Sequence, residues 1–185
     1  MLSLSSDNCR GRIELILGPV FAGKTTELQR RYAKYNQTNK NCVYIKHPNI
    51  THSKLTISSY VSSDRLEHVD IDVNMADIVC IDEGQLFKDL VEYCDKWADK
   101  GKIVIVAALS GNDKRNPFQE VAKIIPRSER IDTLTAICTR CRSAEASFIT
   151  TYFDIPLPLD GEDNEMCVGG SEIYEAVCRG CRQHN

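Results

Sequence analysis

The 185 residues hold no apolar run near the roughly 18 that a membrane-spanning helix needs. Between Met1 and Arg12 no basic segment precedes an apolar core, so no secretory signal is expected. Charge of one sign is not in excess either. Twenty-three Lys and Arg stand against 26 Asp and Glu, a formal net charge of −3. That balance argues against a broad surface for nucleic acid or for an anionic membrane, leaving room only for a local basic patch. Internal repeats are missing. So is the composition of a disordered chain, since 42% of residues are hydrophobic and 26% charged. The length fits one compact domain with at most a small appendage.

What the chain has in quantity is cysteine. An odd count of nine without a secretory signal fits a reducing, cytoplasmic setting, where thiols are metal ligands or small buried hydrophobes. A secreted disulfide scaffold is excluded. Cys138-Thr139-Arg140-Cys141 and Cys178-Arg179-Gly180-Cys181 form two C-x₂-C knuckles separated by 36 residues. Two such knuckles can place four thiolates in the tetrahedron of a structural Zn²⁺ site. A redox pair is the weaker alternative, because it needs one knuckle after a strand rather than two distant ones. Cys42, Cys80 and Cys94 fall in apolar elements and read as core, while Cys9 and Cys167 carry no signal.

The first two thirds of the chain alternate apolar strands with amphipathic helices, the pattern of a mostly parallel α/β sheet. Strands are expected over Arg12–Leu17, Cys42–Lys46, Asp77–Asp82 and Ile103–Leu109, with a further candidate around Thr56–Val61. One helix is expected from Lys24, with Leu28, Tyr32 and Tyr35 inward and Arg30, Arg31 and Lys34 on the other face. A second carries the stripe Leu86, Leu90, Cys94 and Trp97. After Ser110 turn-forming and charged residues dominate to Arg130; Asp132–Thr139 is a candidate strand and 153–164 a long loop. The expected division is a P-loop α/β domain over residues 10–130 and a small metal-organised subdomain over 131–185.

Gly18-Pro19-Val20-Phe21-Ala22-Gly23-Lys24-Thr25 matches G-x-x-x-x-G-K-[ST] between an expected strand and an expected helix, the context that the motif requires. Backbone N–H groups of such a turn curl around phosphate oxygens at a helix N-terminus. Lys24 would reach the β- and γ-phosphates and the Thr25 hydroxyl would meet Mg²⁺. Asp82 and Glu83 end a strand where a second acidic site belongs. Asp82 is suited to hold Mg²⁺ opposite Thr25, and Glu83 to take a proton from an attacking hydroxyl or water.

With these features in place, the chain resembles the type II, cellular and poxvirus-type thymidine kinases. The matching stretches are Leu17 to Leu28, Ile81-Asp82-Glu83-Gly84-Gln85-Leu86-Phe87, Ala107-Ala108-Leu109, Pro117-Phe118, Leu134 to Cys138, Gly169-Gly170, Tyr174 and Val177-Cys178-Arg179. The resemblance implies transfer of the ATP γ-phosphate to the 5′-hydroxyl of thymidine or deoxyuridine, with Glu83 as base. It implies Thr26 and Gln85 on the ATP side with the P-loop. Leu86, Leu109, Phe118, Gly169, Gly170 and Tyr174 would surround the nucleoside beneath a zinc lasso. It further implies a homotetramer that binds neither nucleic acid nor membrane.

Three stretches depart from the family pattern. Ile50-Thr51-His52 replaces an Asp-x-Arg signature, so a contact near the phosphates is either missing or supplied elsewhere, with Asp64 and Arg65 as candidates. Ser110-Gly111-Asn112-Asp113 replaces Asp-Gly-x-Phe, and the loop around Asp154–Glu165 is longer. Two other readings stand beside the kinase: a P-loop ATPase or switch with a zinc-ribbon binding module, and an inactive nucleoside-binding relative.

Overall fold

The structure is a computed structural model that describes residues 11–50, 56–151 and 173–183. Gly169 and Gly170, the 153–164 loop, Cys9 and Cys167 lie outside the described residues.

Four buried apolar runs make the centre of the sheet: β1 (Arg12–Gly18), β2 (Cys42–Lys46), β4 (Ile78–Asp82) and β5 (Ile103–Leu109). They read as largely apolar sequence, interrupted by the buried Glu14 of β1, because helices cover both faces. Two short strands, β3 (Val61–Ser62) and β6 (Arg130–Thr133), complete the order β3-β2-β4-β5-β1-β6, in which every pairing is parallel. On one face, α1 (Lys24–Asn36) packs Leu28, Tyr32 and Tyr35 against Ile16, Tyr44, Cys80 and Ile105. On the other, α3 (Leu90–Asp99) sets Leu90, Cys94 and Trp97 against Val79, Val104 and Val106. The short α2 (Asp70–Asn74) and α4 (Gln119–Ile124) join that second layer through Val73, Val121 and Ile124.

Several expectations need correction. The candidate strand at Thr56–Val61 pairs only through Val61–Ser62. Leu86 precedes α3, in a 3₁₀ turn over Gly84–Leu86, so the α3 stripe begins at Leu90. The stretch after Ser110 is not turn alone, because α4 forms between Pro117 and Pro126 and buries Val121 and Ile124. Asp132–Thr139 is broken into β6 and β7 (Ala136–Ile137), with the Leu134 N–H donating to the Leu17 carbonyl at 2.8 Å between them. Arg31 is buried rather than outward, drawn in by carboxylates on β1 and β6. Cys80 and Cys94 are core as expected, but Cys42 is only partly covered.

Beyond the sheet, β7 pairs antiparallel with β8 (Glu145–Ala146), and β9 (Phe148–Thr151) with β10 (Tyr174–Val177), before the single turn α5 (Arg179–Arg182). Ala136, Cys138, Ala146, Ala176 and Val177 form a small core of their own. Val20 and Ala22 of the Gly18–Thr25 turn pack on that core, so it abuts the turn directly. β6 runs across the expected boundary at residues 130/131 and belongs to the main sheet.

Candidate active site

The Gly18–Thr25 turn leaves β1 and opens α1, the geometry that presents backbone N–H groups to an anion. Gly23 sits at φ 83, in the left-handed region that favours glycine, and a Cβ placed there would face open space. The turn is therefore open at Gly23, while at Gly18 a Cβ would meet the Leu134 carbonyl oxygen at 2.5 Å. Phe21 is also left-handed, at φ 62, and half exposed. Lys24 is 6% exposed and its Nζ donates to the Pro19 carbonyl at 2.7 Å. Burial lowers its pKa, while Glu83 and Asp82 nearby act to raise it. The ammonium is thus folded back onto the turn, and among the described residues it makes no ion pair.

In the sheet order β5 lies between β1 and β4, so Asp82 is two strands from the turn. Thr25 closes that gap: its hydroxyl donates to Asp82 Oδ1 at 3.0 Å. Asp82 is 1% exposed, and its pKa is pushed up to about 6, by burial first and by the Glu83 charge second. A hydroxyl and a carboxylate oxygen, both hard donors, converge here near Lys24; the residues present fit Mg²⁺.

Glu83 follows at φ 55, a left-handed position that glycine usually takes. Such strain persists where surrounding contacts hold it, and it gathers at functional sites. The Glu83 N–H donates to Asp82 Oδ1 at 3.2 Å and its carbonyl accepts the Leu86 N–H at 3.0 Å, and Gln85 fixes the side chain. Gln85 Nε2 donates to Glu83 Oε2 at 2.6 Å, and Gln85 Oε1 accepts the Leu109 N–H at 3.0 Å. Gly84 allows the turn to press on β5, since a Cβ there would meet Val106 Cγ1 at 2.4 Å. Gln85, expected on the ATP side, thus has both ends of its amide engaged between Glu83 and the end of β5.

Leu109, Phe118 and Tyr174 are brought into one apolar cluster, all three buried, and Leu86 stands half-buried after Glu83. The departing stretch at Ser110–Asn116 closes on itself: Asn112 Oδ1 accepts the Asn116 N–H at 2.8 Å, and the Asn112 N–H donates to the Asn116 carbonyl at 3.0 Å. That turn delivers Phe118 to the cluster, while Pro117 stays exposed. Asp64 and Arg65 are engaged locally instead, with His68 at 3.3 Å and Glu67 at 3.0 Å.

Cys138, Cys141, Cys178 and Cys181 bring their Sγ atoms within 4.8 Å of one another. A Zn–S bond of about 2.3 Å implies tetrahedron edges of about 3.8 Å, and Cys141 and Cys178 stand 3.9 Å apart. The Cys141 and Cys178 N–H groups lower the Cys138 pKa, and the Ser143 hydroxyl and N–H bring Cys141 down to about 6. Cys181 is pushed up to about 12, chiefly by its contact with Cys178. The donor set fits Zn²⁺. Arg140 braces the knuckles by pairing with Glu175 on β10 at 2.8 Å.

Sequence reasoning missed Tyr44 and Gln29. The Tyr44 hydroxyl donates to Asp82 Oδ2 at 3.0 Å, and Gln29 accepts from the Thr56 N–H and hydroxyl at 3.0 and 2.6 Å. The available signal was a phenol inside a buried apolar strand, which requires a partner.

A P-loop α/β protein whose parallel sheet is followed by a cysteine-organised module is the class that this arrangement defines. The chain belongs to the thymidine kinase family, whose model, "Thymidine kinase", matches residues 11–182. It is 40% identical over 182 residues to the thymidine kinase of vaccinia virus (strain Western Reserve), covering 92% of this chain and 96% of that one. The thymidine kinases of raccoon poxvirus and monkeypox virus are 40% and 39% identical over 180 residues, with the same coverage.

Proposed function

We propose that the chain transfers the γ-phosphate of ATP to the 5′-hydroxyl of thymidine, with deoxyuridine as a second acceptor. The observation that carries this reading is Glu83, left-handed in its backbone, its side chain fixed by Gln85 and set beside Asp82, Thr25 and Lys24. Residues 18–26 cradle the triphosphate: Gly18, Pro19, Val20, Phe21, Ala22 and Gly23 supply backbone, and Thr26 opens the helix. Lys24 exchanges its bond to the Pro19 carbonyl for the β- and γ-phosphate oxygens. Thr25 and Asp82 would hold Mg²⁺, which supplies charge neutralisation across the β- and γ-phosphates. Glu83 accepts the 5′-hydroxyl proton as the oxygen attacks phosphorus and ADP leaves. Gln85 keeps the Glu83 carboxylate in place through its own bond to Leu109.

Leu86, Leu109, Phe118 and Tyr174 line the thymine side, together with Gly169 and Gly170 from the lasso. Two units divide the work, a catalytic α/β domain from β1 through β6 and the zinc lasso that follows it. Cys138, Cys141, Cys178 and Cys181 would hold Zn²⁺ as a structural ion. Assembly as a homo-oligomer, a tetramer by resemblance, and a cytoplasmic location without nucleic-acid or membrane partners complete the reading.

Radiolabelled ATP offered against a panel of nucleosides tests it. Label should pass to thymidine and deoxyuridine and not to purine nucleosides; no transfer to either pyrimidine above background sinks the reading. Metal analysis should find one Zn²⁺ per chain, lost when the four cysteines are replaced, because such sites couple binding to local folding. A zinc-free wild-type protein would remove the ion from the account.

A further inference from the structure

Asp82 is held from behind as well as from the front. Its Oδ1 receives the Thr25 hydroxyl at 3.0 Å and the Glu83 N–H at 3.2 Å. Its Oδ2 receives the Tyr44 hydroxyl at 3.0 Å. Behind the Tyr44 phenol lies the Gln29 side chain, which acts to lower the pKa of the phenol, and Gln29 Oε1 accepts both Thr56 donors. Tyr44 and Gln29 are buried, and the Tyr44 ring is fixed edge-on by Tyr32 at 5.7 Å. Tyr44 on β2 is thus hydrogen-bonded to Asp82 on β4, which bonds Thr25 at the P-loop, and Gln29 on α1, tied to Thr56, backs the phenol. Rotating the Asp82 carboxylate would break bonds on both of its oxygens.

A small divalent cation demands oxygens near fixed octahedral positions. Groups that orient a ligand from outside its coordination sphere commonly change metal affinity by about 10–100-fold when removed. We propose that Tyr44 and Gln29 are positioning residues for Asp82, holding its carboxylate in the orientation that Mg²⁺·ATP requires and tying that orientation to the chain at Thr56. This inference rests on the reading of Asp82 as the Mg²⁺-side acid.

The test is equilibrium ATP binding to the full chain, titrated with Mg²⁺, for wild type and for Tyr44→Phe, Gln29→Met, Thr56→Val and Asp82→Asn. Mg²⁺-free ATP affinity should stay within about twofold of wild type in the first three variants. The Mg²⁺ concentration that half-maximally tightens ATP should rise by about tenfold in Tyr44→Phe, less in Gln29→Met and least in Thr56→Val. Turnover should show the same split, lost at limiting Mg²⁺ and largely recovered at saturation. A role confined to packing would lower the thermal midpoint and leave the Mg²⁺ titration where it is, and that result overturns the inference. Asp82→Asn separates the two levels. If it shifts the titration and Tyr44→Phe does not, only the inference fails; if Asp82→Asn itself leaves the titration unmoved, the assignment of Asp82 has failed. Should Tyr44→Phe not fold, Gln29→Met carries the same decision.

Discussion

Two clusters of charge lie along β1 and α1, and they are built in opposite ways. In the first, Arg31 is 5% exposed and reaches Glu14 at 2.9 Å, Glu27 at 2.8 Å and Asp132 at 2.5 Å. Arg12, Arg30 and Arg130 add second guanidinium partners to the same carboxylates. Every acid there has its counter-charge within the chain, and hydrogen bonds from Arg30 and Arg31 bring Glu27 down to about 2. In the second, Asp82 and Glu83 stand together while Lys24 bonds a carbonyl, and Asp82 rises to about 6. The first cluster is complete and ties helix to sheet. The second is short of positive charge, as expected where a ligand and its cation supply the rest.

The comparison breaks most sharply at Glu83. Glu83→Gln should cut turnover at least about a hundredfold, within the range of about 10²–10⁴ for a lost general base. ATP affinity should hold within a few-fold and the urea midpoint should barely move. Unchanged turnover would remove Glu83 from the mechanism. In the paired cluster, Arg31→Met should do the reverse. It leaves Glu14 and Asp132 each with one partner, Arg12 and Arg130, so the cost should fall near the low end of the range for a broken buried pair, about 3 kcal/mol. With a urea dependence of about 1–3 kcal/mol/M, that is a midpoint shift of about 1–3 M. Turnover per folded molecule should stay within about twofold. A variant of normal stability and poor turnover would mean that the paired cluster takes part in the chemistry.

These two clusters were unequally legible in the sequence. Gly18–Thr25, Asp82-Glu83 and the cysteine knuckles are local patterns, so their residue types and spacing are enough to read them. β1, β2, β4 and β5 were equally plain, since a strand buried on both faces is largely apolar. The strand order is not a local property. Gln29, Tyr44 and Asp82 meet only because β2 lies beside β4, and nothing within β2 announces its neighbour. Arg31 reads as surface beside Arg30 and Lys34, yet Glu14 arrives from 17 residues away and Asp132 from 101. The helix α4 was hidden for a different reason: Phe118, Val121 and Ile124 make one short apolar face between two prolines, too brief for periodicity to stand out.

The smallest effect is one of sign, and it distinguishes the clusters without touching activity. Glu27 has a folded pKa of about 2 against an ordinary 4.5. Its contribution to stability is whole above about 4.5 and is lost as pH falls toward 2, because the unfolded chain takes up the proton first. Asp82, at about 6 against an ordinary 3.8, acts the other way. The folded chain takes up its proton first, so ligand-free protein gains stability as pH falls from about 6 to 3.8. Urea midpoints measured across pH 7 to 3 should therefore show Asp82→Asn flattening the upper part of that range and Glu27→Gln flattening the lower part. Saturating ATP and Mg²⁺ should abolish the Asp82 effect, since the bound ligand then favours the ionised carboxylate, and leave the Glu27 effect in place. If Asp82→Asn and Glu27→Gln changed the same part of the profile with the same sign, the two clusters would not differ in the way their contacts imply.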